Sequence, residues 1–97
     1  GATSSEQYLF SLLKAYTETL GVSLEYQYRL GDYSIDFLVG GKLAVEYDEM
    51  GHSSYNHVRE IIREREIRRH FELVRFSDND NEGFILAKIS LLLGLTL

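Results

Sequence analysis

No cysteine occurs among the 97 residues, which excludes disulfides and thiolate metal sites and agrees with a reducing compartment. No run of ~18 apolar residues is present, so no membrane-spanning helix is expected. The first residues also lack the basic and then apolar pattern of a secretory signal. A basic excess is missing too: 10 Lys and Arg stand against 15 Asp and Glu, for a formal net charge of −5. A protein that gripped a nucleic-acid backbone with its whole surface would be basic, so any such binding has to rest on a local patch, a metal ion or a domain outside the chain. There is no internal repeat, low-complexity tract or linker. The length suits one domain, residues 1–97, around a single core. Gly1 and Ala2 read as a tag remnant, so the expectation is a domain excised from a larger intracellular, cytoplasmic protein.

What the chain does have is apolar periodicity that changes type along its length. Hydrophobic residues make up 44%, with seven Tyr and five Phe. Thr3, Ser4 and Ser5 precede Glu6 and Gln7 in the spacing of a capping box, and Leu9, Leu12, Leu13, Tyr16 and Leu20 then recur at helical spacing. This predicts a helix over about 4–20, closed by Gly21. The alternating run 24–30 ends at the turn pair Gly31-Asp32, and the runs 33–39 and 42–48 are joined through Gly40-Gly41, giving three successive antiparallel strands. A charged helix is expected from Tyr55 to about His70, with Glu64 and Arg68 at ion-pair spacing. A short strand over 73–76 follows, parallel to its predecessor because a helical crossover precedes it. After a polar loop over 77–82, Phe84, Ile85, Ile89, Leu92 and Leu93 mark a final apolar helix. The predicted class is α/β: a mixed four-stranded sheet with flanking helices, in the order α-β-β-β-α-β-α.

Side-chain parity fixes the register of the second hairpin, because residues directly opposite each other across a pair share a face. A two-residue loop at Gly40-Gly41 would set Asp36 opposite Val45 and mix polar with apolar residues. A three-residue loop, Gly40-Gly41-Lys42, pairs Val39 with Leu43 and Asp36 with Glu46. One face then carries Ile35, Phe37, Val39, Leu43, Val45 and Tyr47, and the other Ser34, Asp36, Leu38, Ala44, Glu46 and Asp48. Only the second register gives a clean core face, so Asp36 and Glu46 are expected on the same side of the sheet.

Carboxylates in the middle of half-buried strands cost several kcal/mol of desolvation unless a positive partner neutralises them. With Asp36, Glu46 and Asp48 on one hairpin and His52 just after it, a metal ion is the expected partner. Glu6, in the first turn of the first helix, either borders this cluster or only complements the helix dipole. The five arginines of the charged helix read mainly as a solvated, salt-bridged face, and beside the carboxylates they could also hold phosphates. His57 reads as a surface residue, His70 as a complement to the helix C-terminus, and Tyr26, Tyr28 and Tyr33 as strand packing.

This order of elements, with Asp36 in the second strand and Glu46 in the third, resembles the core of the PD-(D/E)xK nucleases. Within that group it is most similar to the very-short-patch-repair-like branch, which includes the EDxHD homing endonucleases of phage introns. Glu6 in SSEQYLFSLL, Asp36 in YSIDF, the segment VEYDEMGH ending at His52, and the helix followed by LVRFSD carry the resemblance, which covers nearly the whole chain. It implies a restriction-endonuclease-like fold and a metal-dependent DNA endonuclease that leaves a 3′-hydroxyl and a 5′-phosphate. The catalytic residues it implies are Glu6, Asp36, Glu46 and His52. Asp36, Glu46 and the Tyr47 carbonyl would hold Mg²⁺ or Mn²⁺, and His52 would take the proton from the attacking water. Arg59 and Arg63 are the candidate DNA contacts, with a recognition domain outside the chain and an oligomer compatible with the reading. Two departures stand out: Asp48 occupies the usual lysine position, and Ile35 stands where a proline precedes the motif aspartate. The last family acid would fall to Glu60, Asp78 or Asp80. The rival expectation is a nuclease fold kept as a non-catalytic interaction module of a larger viral or phage protein, which the acidic balance and the missing lysine favour. A small structural domain would explain the apolar last helix but not the carboxylates.

Overall fold

The computed structural model describes residues 4–48 and 56–95. Helix α1 (Ser4–Leu20) leads into strands β1 (Leu24–Leu30), β2 (Tyr33–Val39) and β3 (Leu43–Tyr47), followed by helix α2 (His57–Arg68), strand β4 (Glu72–Phe76) and helix α3 (Glu82–Leu92). This is the order expected from the sequence, with element ends moved by one or two residues. The sheet runs β1-β2-β3-β4, antiparallel through β3 and parallel between β3 and β4. Both later helices begin at an asparagine whose side chain accepts a main-chain hydrogen bond, Asn56 from Arg59 N–H (3.1 Å) and Asn81 from Phe84 N–H (2.8 Å). Of the residues read as the capping box before α1, Thr3 lies outside the described residues. Among the described residues, no helix is long and apolar enough to cross a membrane.

The sheet separates two apolar clusters. On one face, Leu9 and Leu13 of α1 and Ile85 and Ile89 of α3 pack with Phe37, Val39, Leu43, Val45 and Phe76. On the other, Ile67 of α2 packs with Ile35, Ala44 and Leu73. Burying a large apolar side chain stabilises by about 1.5–3 kcal/mol, so the first cluster carries most of the fold. Helix α2 is attached thinly by comparison: Ile67 is its one buried residue among those described, while Val58, Ile61 and Ile62 are 67%, 59% and 52% exposed.

The hairpin from β2 to β3 has the three-residue loop, with Val39 opposite Leu43, Leu38 opposite Ala44 and Phe37 opposite Val45. Gly40 and Gly41 both take positive φ, 63° and 68°, a backbone conformation that a Cβ would disfavour. The ladder stops at the Phe37–Val45 pair, one position short of Asp36 and Glu46.

One expectation of parity fails. Ile35 was placed on the same face as Phe37, yet Ile35 lies in the α2-side cluster and Phe37 in the other. The cause lies in β1, where Gln27 has φ 54° and the pair that would join it to Asp36 is missing from an otherwise regular register. On one side of the gap Tyr26 pairs with Phe37 and stacks on Phe10 at 4.8 Å between ring centroids. On the other, Tyr28 pairs with Ile35 and meets Phe71 edge-on at 5.8 Å. Both strands turn over together between these pairs, and Asp36 sits at the turnover.

Candidate functional site

Asp36, Glu46, Tyr47, Asp48, Glu60, Arg63 and Arg75 line one open cleft of about 170 Å³ where β2 and β3 part. The sequence anticipated five of these as candidate metal or catalytic residues, and Arg63 as a candidate DNA contact.

Side chains take over where the β2–β3 ladder ends. Asp36 Oδ2 accepts a hydrogen bond from Tyr47 N–H at 2.9 Å, and Asp36 N–H donates to Glu46 Oε2 at 3.3 Å. The two acids are therefore tied to the same break in the sheet, by side-chain to main-chain bonds rather than as the directly opposed pair that parity gave. Burial pushes the Asp36 carboxyl up to about 6; the Tyr47 N–H opposes this, the negative charges of Glu46 and Glu6 add to it, and Arg63 counters. Glu6, half-buried in the first turn of α1, thus acts electrostatically on Asp36 although it does not line the cleft.

Glu46 is 4% exposed and is the only buried acidic residue among those described. Its partner is an arginine. Arg63 of α2 sets Nη1 2.5 Å from Oε1 and Nη2 2.7 Å from Oε2, the two-pronged geometry that makes arginine a strong carboxylate partner. The same guanidinium donates to Glu60 (3.0 Å) and to the Ser34 carbonyl (2.8 Å). The Glu46 carboxylate and the neighbouring Glu60 hold Arg63 firmly protonated. Arg75 of β4, level with Glu46 in the parallel register, lies 3.8 Å from Glu46 Oε1 and bonds Glu60 at 2.8 Å and Glu64 at 2.6 Å. Glu64, expected to pair along its helix with Arg68, reaches Arg75 across to the sheet instead.

Two arginines and three glutamates thus join α2 to three strands. No buried side-chain polar atom in the described residues lacks a partner. In this structure the charge on Glu46 is met by a guanidinium, which its burial beside β4 and α2 brings to it. Sequence reasoning missed Arg75 and Glu64. The signal for Arg75 was available, since Leu73 and Arg75 share a face of a short strand that lies beside β3. Glu64 had none, because the phase of a helix over a sheet cannot be read from the helix alone.

The remaining candidates fall as follows. Asp48 is exposed at the cleft and gives its N–H to the Phe76 carbonyl at 2.7 Å. Arg59 is exposed at the start of α2 and does not line the cleft. Asp78 and Asp80 line a separate cavity, although Tyr47 borders both. His52 lies outside the described residues.

The donor set suits a hard divalent cation at Asp36, because the acids supply oxygen donors and Glu6 and Glu46 leave surplus negative charge there. It suits one at Glu46 only when Arg63 lets go. Among the described residues, no three His, Asp or Glu side chains are gathered as a ready metal site. No protein-family model matches the chain, and no curated protein matches it significantly.

Proposed function

We propose that the chain is the catalytic domain of a metal-dependent DNA endonuclease, of the very-short-patch-repair-like branch of the PD-(D/E)xK nucleases. The observation that carries this reading is the meeting of Asp36 and Glu46 at the break between β2 and β3, where burial first, and then the charges of Glu46 and Glu6, push Asp36 up to about 6. A fold gains no stability from keeping a carboxylate half-buried beside like charges, and functional sites are where such groups collect.

Asp36 and Glu46, with the Tyr47 main chain, would hold Mg²⁺ or Mn²⁺. Such an ion polarises a phosphoryl oxygen and stabilises the leaving group. Glu6 adds negative charge that keeps the site selective for a cation. His52 takes the proton from the attacking water. Arg63 leaves Glu46 as the site is filled and turns to a phosphate of the DNA, which reconciles its place on the glutamate with its expected role. Arg59 adds a backbone contact, and sequence recognition belongs to a domain outside the chain.

The two-pronged hold of Arg63 on Glu46 also favours a second reading, a nuclease fold retained as a non-catalytic interaction module. Incubating plasmid and single-stranded DNA with the domain and Mg²⁺ or Mn²⁺, beside Asp36→Asn, separates the two. Cleavage lost in the variant supports the endonuclease. No cleavage with either metal, even when the domain is fused to a DNA-binding domain, leaves the interaction module.

A further inference from the structure

A second cavity, of about 250 Å³, opens between the start of α1, the ends of β3 and β4, and the start of α3. Its inner side is apolar, formed by Leu9, Phe76 and Ile85, which are 2%, 1% and 5% exposed. Tyr8 and Tyr47 add aromatic rings, and Asp78 and Asp80 add carboxylates. No Lys, Arg or His is among the lining residues. The polar groups are held in place: the Tyr47 hydroxyl donates to Asp78 Oδ1, Ser77 N–H donates to Asp80 Oδ2 at 2.9 Å, and the Tyr8 hydroxyl donates to Glu82 at 2.9 Å. Each of the two aspartates carries a second oxygen beyond the one so used.

We propose that this cavity is a docking pocket for an arginine side chain of a partner polypeptide. An apolar floor takes the methylene stem, the aromatic residues attract the guanidinium, and the carboxylates of Asp78 and Asp80 accept from its donors. The three acids Asp78, Asp80 and Glu82, in a chain of net charge −5, oppose a phosphate-bearing guest at the same place. The pocket goes beyond the proposed hydrolysis and stands whether or not the cleft cleaves DNA. Tyr47 joins the two sites, since it lines the pocket and its hydroxyl holds Asp78 while its N–H holds Asp36.

Amide chemical-shift titration of the ¹⁵N-labelled protein with N-acetyl-arginine amide tests this, beside its uncharged isostere N-acetyl-citrulline amide and the nucleoside cytidine. The arginine probe should move the amides of Tyr8, Tyr47 and Ser77 to Asp80. Binding should weaken about tenfold for the citrulline probe, and likewise in Asp78→Asn and in Tyr8→Ala. Asparagine at 78 still accepts from the Tyr47 hydroxyl, and Tyr8 is 57% exposed, so both variants should fold, which their unperturbed spectra away from the pocket would verify. Equal binding of the citrulline probe, binding of cytidine in place of arginine, or no shift at these amides would each overturn the proposal.

Discussion

Arg63 and Glu46 meet with both guanidinium nitrogens on both carboxylate oxygens, at 2.5 and 2.7 Å, one residue coming from α2 and the other from β3. The Arg63 side chain is 19% exposed and that of Glu46 5%, so neither charge is freely hydrated. The pair fastens a helix that has little apolar hold of its own, and it occupies the acid that the proposed chemistry needs.

The first expectation concerns stability. Arg63→Met leaves the Glu46 charge buried with Arg75 at 3.8 Å and the Asp36 N–H at 3.3 Å, and breaking one side of a buried pair costs about 3–5 kcal/mol. Urea unfolding measures it. The double variant Arg63→Met with Glu46→Leu should recover most of the loss, because an apolar pair there leaves no stranded charge. A single-variant loss below ~1 kcal/mol, the range of surface pairs, would show that the bridge does not hold α2.

The second concerns pH. In the unfolded chain the Asp36 carboxyl ionises near the ordinary 3.8, whereas the folded chain keeps the proton until about 6. The folded-state preference is therefore fully present below the lower value and is lost as pH rises through the upper one. Asp36→Asn removes the charge and keeps an acceptor for Tyr47 N–H. At pH 7 it should stabilise the fold by on the order of 1–2 kcal/mol, allowing for solvent screening at this half-buried site. Thermal melts of both proteins across this pH window check it. A variant that is less stable at neutral pH would refute the account of Asp36 as a carboxyl raised by burial and neighbouring negative charge.

The third concerns metal. Mg²⁺ or Mn²⁺ that binds only the native state should raise the melting temperature, by an amount equivalent to about 2.7 kcal/mol when the free ion stands at 100 times its dissociation constant. The shift should shrink in Asp36→Asn. Calorimetric titration with Mn²⁺ should show tighter binding in Arg63→Lys, which weakens the forked hold on Glu46. Melts unmoved by millimolar metal would count against a metal site.

The fourth concerns His52. As the general base, its replacement by alanine should lower the cleavage rate about 10²- to 10⁴-fold while fluorescence anisotropy shows DNA binding unchanged. Activity should fall as pH drops through the imidazole pKa, since the protonated ring accepts no proton. Normal cleavage by His52→Ala would pass the role to Asp48 or to metal-bound hydroxide alone.

Much of the fold could be read in the sequence because it rests on local periodicities. Leu9, Leu13, Phe37, Val39, Leu43 and Val45 were assigned to the core by spacing, and all are buried. The Gly40-Gly41-Lys42 loop was readable because only one register kept Asp36 and Glu46 off the apolar face. Ile35 escaped the same reasoning because alternation assumes an unbroken strand, and no residue pattern announces the left-handed backbone at Gln27. Arg63 was placed at DNA rather than on Glu46 for a different reason. Its reach depends on how α2 rotates over the sheet, and with Ile67 as the one buried residue of that helix, the sequence held a single apolar anchor from which to judge that rotation.

The kink at Gln27 has a bearing on how the molecule keeps to itself. Strand β1 forms one margin of the sheet, and a straight marginal strand offers a row of unpaired amides and carbonyls on which another chain can add its own strand. A residue at φ 54° in mid-strand breaks that row into two short stretches facing different ways. Neither is long enough to template a neighbour, so the irregularity that seats Asp36 within the sheet also blunts its outer margin against aggregation.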